Sequence, residues 1–131
     1  MEPHVHEVQI YYEDTAFTGI VYHANYLKYF ERAREHLLGV DELVRLYRED
    51  GIGFVVYKAE LSFKEGAVHG DLLEIRTTAS APSPYRAIFQ QSVWRSGKGP
   101  MVEGTVQLCC VDRAGKLVPI PAHVLAEIKE S

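Results

Sequence analysis

The residues that could do chemistry cluster near the start of the chain. Asp14 follows a predicted strand and precedes a predicted helix. A carboxylate in that place is a nucleophile or general base if it faces a cleft. Otherwise it is a solvated turn acid. His23 and Asn25 stand at the helix entrance, where unpaired backbone N–H groups and a partial positive charge can polarise a carbonyl. His23 could orient a substrate or shuttle a proton, or it could be a partly buried structural imidazole. Glu31, with Lys28 three residues before it and Arg34 three after, reads as a solvated ion-pair face rather than a site carboxylate. His4 and His6 share a strand face, but no third ligand accompanies them, so an edge role and no metal are expected. Cys109 and Cys110 are adjacent. Neighbours on a strand point to opposite faces, so they are expected as small apolar residues, not as a disulfide or a redox pair. The sequence has no G-x-S-x-G elbow, phosphate loop or G-x-G-x-x-G fingerprint, which removes support from serine nucleophiles and nucleotide hydrolysis.

The elements that must position these groups follow from periodicity. Val5 to Tyr12 alternates as a strand, and Thr18-Gly19 breaks the loop after it. Tyr26, Phe30, Ala33 and Leu37 form one helical stripe, with Asn25 as the predicted N-cap and Gly39 as the stop. Asp41 is predicted to cap a shorter second helix that Gly51 ends. The period then changes to two. Tyr57, Ala59, Leu61 and Phe63 alternate with polar residues, and Leu73 to Ala79 repeats the pattern. Pro82-Ser83-Pro84 is expected to break the chain before strands at Tyr85 to Arg95 and Val102 to Cys110, and Pro121 to open a final helix at its first position. The absence of βαβ repeats makes the later strands antiparallel. The predicted fold is α+β: one curved sheet wrapped around one long central helix, with two open edges of the kind that another subunit often covers.

At 131 residues the chain is expected to be one domain, residues 1–131. Apolar content is 47% and net charge is −4, with the two signs interspersed. The lack of a basic stripe argues against nucleic acid as the main partner. No apolar run is long enough for a membrane span. The N-terminus lacks the basic and apolar regions of a signal peptide, so a cytoplasmic location is expected.

The ordered set Tyr12, Asp14, Thr15, Gly19, Val21, Tyr22, His23, Asn25, Tyr26, Phe30, Glu31, Ala33 and Arg34 resembles the 4-hydroxybenzoyl-CoA thioesterase family, in particular its YbgC-like acyl-CoA thioesterase branch. The predicted element order is similar to that family's hotdog fold over nearly the whole chain. The resemblance implies hydrolysis of an acyl-CoA thioester to the acid and free CoA, without a cofactor. By position it makes Asp14 the catalytic carboxylate and His23 a second site residue. Backbone N–H groups around Val21, Tyr22 and His23 would hold the carbonyl oxygen. Tyr57, Lys58 and Ala59 would line the pantetheine arm. Arg86 is the candidate for the CoA phosphates, with an exposed strand arginine as the alternative. The resemblance also implies sites built between subunits of a homodimer or homotetramer.

One position departs from the family. Many relatives carry a D-T-D pattern, whereas here Ala16 and then Phe17 follow Asp14-Thr15. That implies a less polar loop, with Phe17 free to pack on an acyl group or a neighbouring subunit. The alternative function is a hotdog protein that binds acyl-CoA or acyl-carrier protein without hydrolysis. A hotdog dehydratase is disfavoured because its D-x-N-P-x-H type of motif is missing.

Overall fold

The structure is a computed structural model and describes residues 2–130. Strand β1 (His4–Gln9) leads through a 3-10 turn at Tyr12–Asp14 and a loop into helix α1 (Asn25–Leu38). Helix α2 (Val40–Arg45) continues as a π-helical turn over Leu46–Asp50, which Gly51 ends with a φ of 68°. Four long strands follow: β2 (Gly53–Phe63), β3 (Leu72–Ser83), β4 (Arg86–Arg95) and β5 (Lys98–Val111). A short β6 (Leu117–Val118) and helix α3 (Ala122–Glu130) complete the chain. The strands form one antiparallel sheet in the order β1-β3-β4-β5-β2, with β6 on β5. The sheet curves around α1 in the expected hotdog, α+β arrangement.

The alternation of β3 to β5 decides where the core lies. Leu73, Ile75, Ala87, Phe89, Val93, Val102, Val106 and Cys110 face inward and are buried. They meet Tyr26, Tyr29, Phe30 and Ala33 from α1. Each large side chain so buried stabilises the fold by about 1.5–3 kcal/mol before chain entropy is charged against it. A polar clasp passes through this core. Gln91 Nε2 donates to the Phe30 carbonyl at 2.9 Å and to Thr77 Oγ1 at 3.0 Å, and Arg34 donates to Gln91 Oε1 at 3.1 Å. It fixes the roll of α1 against β3 and β4.

Several local expectations are corrected. Strand β1 stops at Gln9, and Tyr12 belongs to the 3-10 turn. Asn25 is not a side-chain N-cap; its Nδ2 donates 2.9 Å to the Asp14 carbonyl. Asp41 is the second residue of α2, and Gly39 holds the N-cap position instead. Pro82 stays inside β3, where the pairing with β4 is irregular between Ser80 and Ser83. Pro121 precedes α3 and its carbonyl accepts from Leu125 N–H at 2.9 Å. Glu31 forms no ion pair with Arg34 among the described residues; Arg34 is buried at 6% exposure. Both cysteines are free, and burial, helped by the neighbouring Cys109, pushes the Cys110 thiol up to about 12.

Candidate active site

The loop from Asp14 to Asn25 is held by its own polar groups. Thr15 and Val21 form an antiparallel bridge, and Ile20 bridges to Val68. Ala16 N–H donates to the Ile20 carbonyl at 2.8 Å, and Gly19 N–H to the Ala16 carbonyl at 2.9 Å. Gly19 has a φ of 88°, which the turn requires and other residues resist. Phe17 at the tip is fully exposed.

Within this loop the donors are unevenly committed. Val21 N–H donates to the Ala67 carbonyl and Tyr22 N–H to the Asp14 carbonyl, each at 2.9 Å. Those two groups are therefore unavailable to a substrate carbonyl. The N–H groups of His23 and Ala24 have no acceptor among the described residues. The next donors, from Asn25, Tyr26 and Leu27, already close the first turn of α1. The position expected to hold a carbonyl oxygen thus narrows to His23 and Ala24. The exposed His23 ring stands 4.8 Å from the Tyr22 ring and 5.9 Å, edge-on, from Phe63 at the end of β2.

The Asp14 carboxylate faces another way. Its Oδ2 accepts from Tyr11 N–H at 2.7 Å. It lines a polar cleft of about 400 Å³ with Val8, Gln9, Tyr11, Glu13, Asn25, Lys28, Tyr29 and Arg32, on the β1 flank of α1. The Tyr29 hydroxyl is buried beside it and interacts with the Asp14 carboxylate without full hydrogen-bond geometry. Burial, and then the nearby Asp14 carboxylate, hold this phenol well above the usual tyrosine range. Tyr29 had no signal in the sequence beyond an aromatic within a helix. His23 does not line this cleft.

On the β2 flank of α1 lies a second cleft, of about 280 Å³. It is lined by Leu27, Lys28, Glu31, Arg34, Val56, Ala59 and Val106. Of the three β2 candidates only Ala59 lies in it. The reason is a bulge between Val56 and Lys58, which breaks the expected alternation and puts Val56 beside Ala59. Tyr57 instead donates from its hydroxyl to Gln107 at 2.9 Å, and Gln107 alternates with buried Val106 and Leu108, so this contact is on the outward face. Lys58 pairs with Glu60 at 3.0 Å. Arg86 is exposed at the start of β4, with no partner for its guanidinium among the described residues. No cluster of three or more His, Cys, Asp or Glu residues able to hold a metal occurs among the described residues. Among them, no helix is long and apolar enough to cross a membrane.

A sheet closed over one long helix, with free N–H groups at the helix entrance and an apolar cleft beside it, is the frame of a hotdog thioester hydrolase. The chain belongs to the thioesterase-like superfamily, whose family model matches residues 10–128. It is 36% identical over 115 residues to the acyl-CoA thioesterase YbgC of Haemophilus influenzae, covering 86% of this chain and 83% of that protein. It is 32% identical over 126 residues to the acyl-CoA thioester hydrolase YbgC of Escherichia coli O157:H7, covering 94% and 93%. Among solved structures it is similar to a hypothetical protein of Aquifex aeolicus, with a TM-score of 0.88, 26% identity and coverage of 97% and 100%.

Proposed function

We propose that this chain hydrolyses acyl-CoA thioesters to the free acid and CoA. The observation that carries the reading is the entrance of α1, where the His23 and Ala24 N–H groups lack acceptors among the described residues, one turn before Leu27 and Lys28, which line the apolar cleft. In the proposed reaction they hold the thioester carbonyl oxygen and stabilise its developing negative charge. Asp14 is the reacting carboxylate, as nucleophile or as general base. As a base it takes a proton from water while the water oxygen bonds to the carbonyl carbon. The C–S bond then breaks, and the proton returns to the CoA thiolate. Support for Asp14 is its fixed carboxylate, with Oδ2 tied to Tyr11 N–H. His23 orients the carbonyl.

In this reading the pantetheine arm runs beside Ala59 and the backbone of Tyr57 and Lys58, where the bulge interrupts the pairing of β2 with β5. Arg86 is the proposed partner of the CoA phosphates. The edge strand β2 exposes Val55, Val56, Tyr57 and Phe63. This supports pairing with β2 of a second copy in a homodimer, with a homotetramer as the higher assembly. A cytoplasmic location fits the soluble CoA substrate.

A second reading of Asp14 has its own observation. The carboxylate caps the 3-10 turn and opens into the β1-flank cleft, which His23 does not line. In this reading Asp14 positions the loop, and the chain lacks a loop carboxylate where Ala16 stands. Free-thiol release from a panel of acyl-CoA esters tests the function. Asp14→Asn and Ala16→Asp separate the two readings. Loss of turnover in the first variant supports Asp14 as the reacting group. An inert first variant with a marked rise in the second transfers that role to position 16. Binding of CoA esters with no thiol release by the unaltered chain would make it an acyl-CoA binding protein.

A further inference from the structure

We infer that the β2 flank of α1 receives the acyl group, and that Arg34 meets a neutral oxygen on its far part. The preferred substrate is then a medium-chain aliphatic thioester carrying a distal hydroxyl or keto group. This deepens the thioesterase reading and rests on it.

The cleft of about 280 Å³ beside Leu27 and Ala59 adjoins a second of about 230 Å³ under α2, and both are lined by Glu31, Arg34 and Val56. Together they reach the size of ordinary small-ligand pockets. The inner part is walled by Leu43, Leu46, Ile52, Phe54, Phe89 and Leu108. An acyl chain fits these walls, and a guanidinium among them does not. Arg34 is 6% exposed, and its one hydrogen-bond acceptor among the described residues is the neutral Gln91 Oε1 at 3.1 Å. A guanidinium has five N–H donors, and unmet donors in an apolar cavity are costly. A ligand oxygen would meet them.

The charge of that oxygen follows from the neighbours. Glu31 and Glu35 line the same inner cleft, and both act on Arg34 to favour its charged form against the effect of burial. Lys28 lines only the outer cleft, so in the inner one Arg34 faces both carboxylates and a further carboxylate there would meet net repulsion. A hydroxyl or carbonyl oxygen would not. The length follows from the helix. Arg34 lies ten residues beyond Ala24, the N-cap of α1, about 15 Å along the axis, shortened because helical side chains lean toward the N-terminus. A carbonyl held at His23 therefore needs a chain longer than one aromatic ring to bring an oxygen to Arg34.

The test uses non-hydrolysable CoA thioethers: a medium-chain alkyl form, its terminal-hydroxyl counterpart and its terminal-carboxylate counterpart. Calorimetry on the unaltered protein is expected to show the hydroxyl form binding about tenfold tighter than the alkyl form. In Arg34→Met that ratio is expected to fall to about one. Arg34→Lys keeps the charge and covers the case in which Met does not fold; its ratio is expected to drop about threefold. Equal binding of alkyl and hydroxyl forms by the unaltered protein overturns the inference. So does a ratio that survives either substitution, or a preference for the carboxylate. Thiol release from the matching thioesters is measured alongside. Release without discrimination sinks this inference alone, and discrimination without release sinks the hydrolase reading alone.

Discussion

The two flanks of α1 are built from one helix and differ in nearly every respect. The β1 flank is polar: Asp14, Lys28, Tyr29 and Arg32 share its cleft, and the His6 and His36 rings stack at 4.6 Å further along. The β2 flank is apolar apart from Lys28, Glu31 and Arg34, and the edge strand beyond it exposes valines. The sequence motif puts the acid and the helix entrance within one short run; in the fold the Asp14 carboxylate lines the β1-flank cleft, whereas His23 lines neither that cleft nor the one that holds Ala59. Proximity in sequence therefore does not make Asp14 and His23 one constellation within a single copy. What the acid does must be tested apart from what the cleft binds.

The sharpest break in this comparison is Asp14→Asn. The amide oxygen can still accept from Tyr11 N–H, so the turn is kept while the charge and basicity are removed. If Asp14 reacts, thiol release is expected to fall about 10²–10⁴-fold with little change in thermal midpoint. A loss below about threefold would leave Asp14 a positioning residue. The sheet edges come next. Val55→Asp puts a charge into the β2 edge and, by symmetry, a second into the partner's edge of the proposed pair. If the site lies between subunits as proposed, light scattering is expected to show the mass reduced to that of one chain and turnover is expected to fall about tenfold. The matching change on the other edge, Val5→Asp, is expected to leave the mass unchanged.

A smaller effect is expected from the clasp that orients the helix. Gln91→Leu removes the acceptor of Arg34 and the donor to Phe30 and Thr77. Leaving buried groups unpaired costs about 1–3 kcal/mol each. The thermal midpoint is expected to drop by several degrees, read by calorimetry.

This clasp also shows where sequence reading stops. The stripe of Tyr26, Phe30 and Ala33 announced α1, and alternation announced β3 to β5, because both patterns are local and strictly periodic. Glu31 three residues away makes Arg34 read as part of a solvated face. Its burial is decided by Gln91, fifty-seven residues further on, and no local rule reports such a partner. The β2 bulge hid the cleft in the same way: one extra residue put Val56 on the same face as Ala59 and turned Tyr57 outward. Asp14 and His23 were legible as residue types at telling places. Which cleft each side chain lines was not, since spacing carries no side-chain direction in a loop, and His23 does not line the cleft that holds Asp14. The commitment of the Val21 and Tyr22 N–H groups depends on Ala67 and on the Asp14 carbonyl, again through folded contacts.

The smallest expected effect belongs to the β1 flank and depends on pH. Burial lowers the pKa of His4 below its ordinary value, with His36 adding to it. Burial likewise lowers that of His6, followed by His36, His4 and Arg32. Both rings are thus easier to protonate in the unfolded chain than in the fold. Their contribution to stability is complete above the unfolded value of about 6.5 and is lost as pH falls through it toward the lowered folded values. Melting curves between about pH 8 and pH 5 are expected to show a midpoint that declines at the acid end. His6→Phe keeps a ring against His36, removes one titrating group, and should flatten that decline. An unchanged slope would place the acid sensitivity elsewhere in the fold. Thiol release per folded molecule should follow a separate profile, because neither histidine lines the cleft that holds Asp14 or the one that holds Ala59.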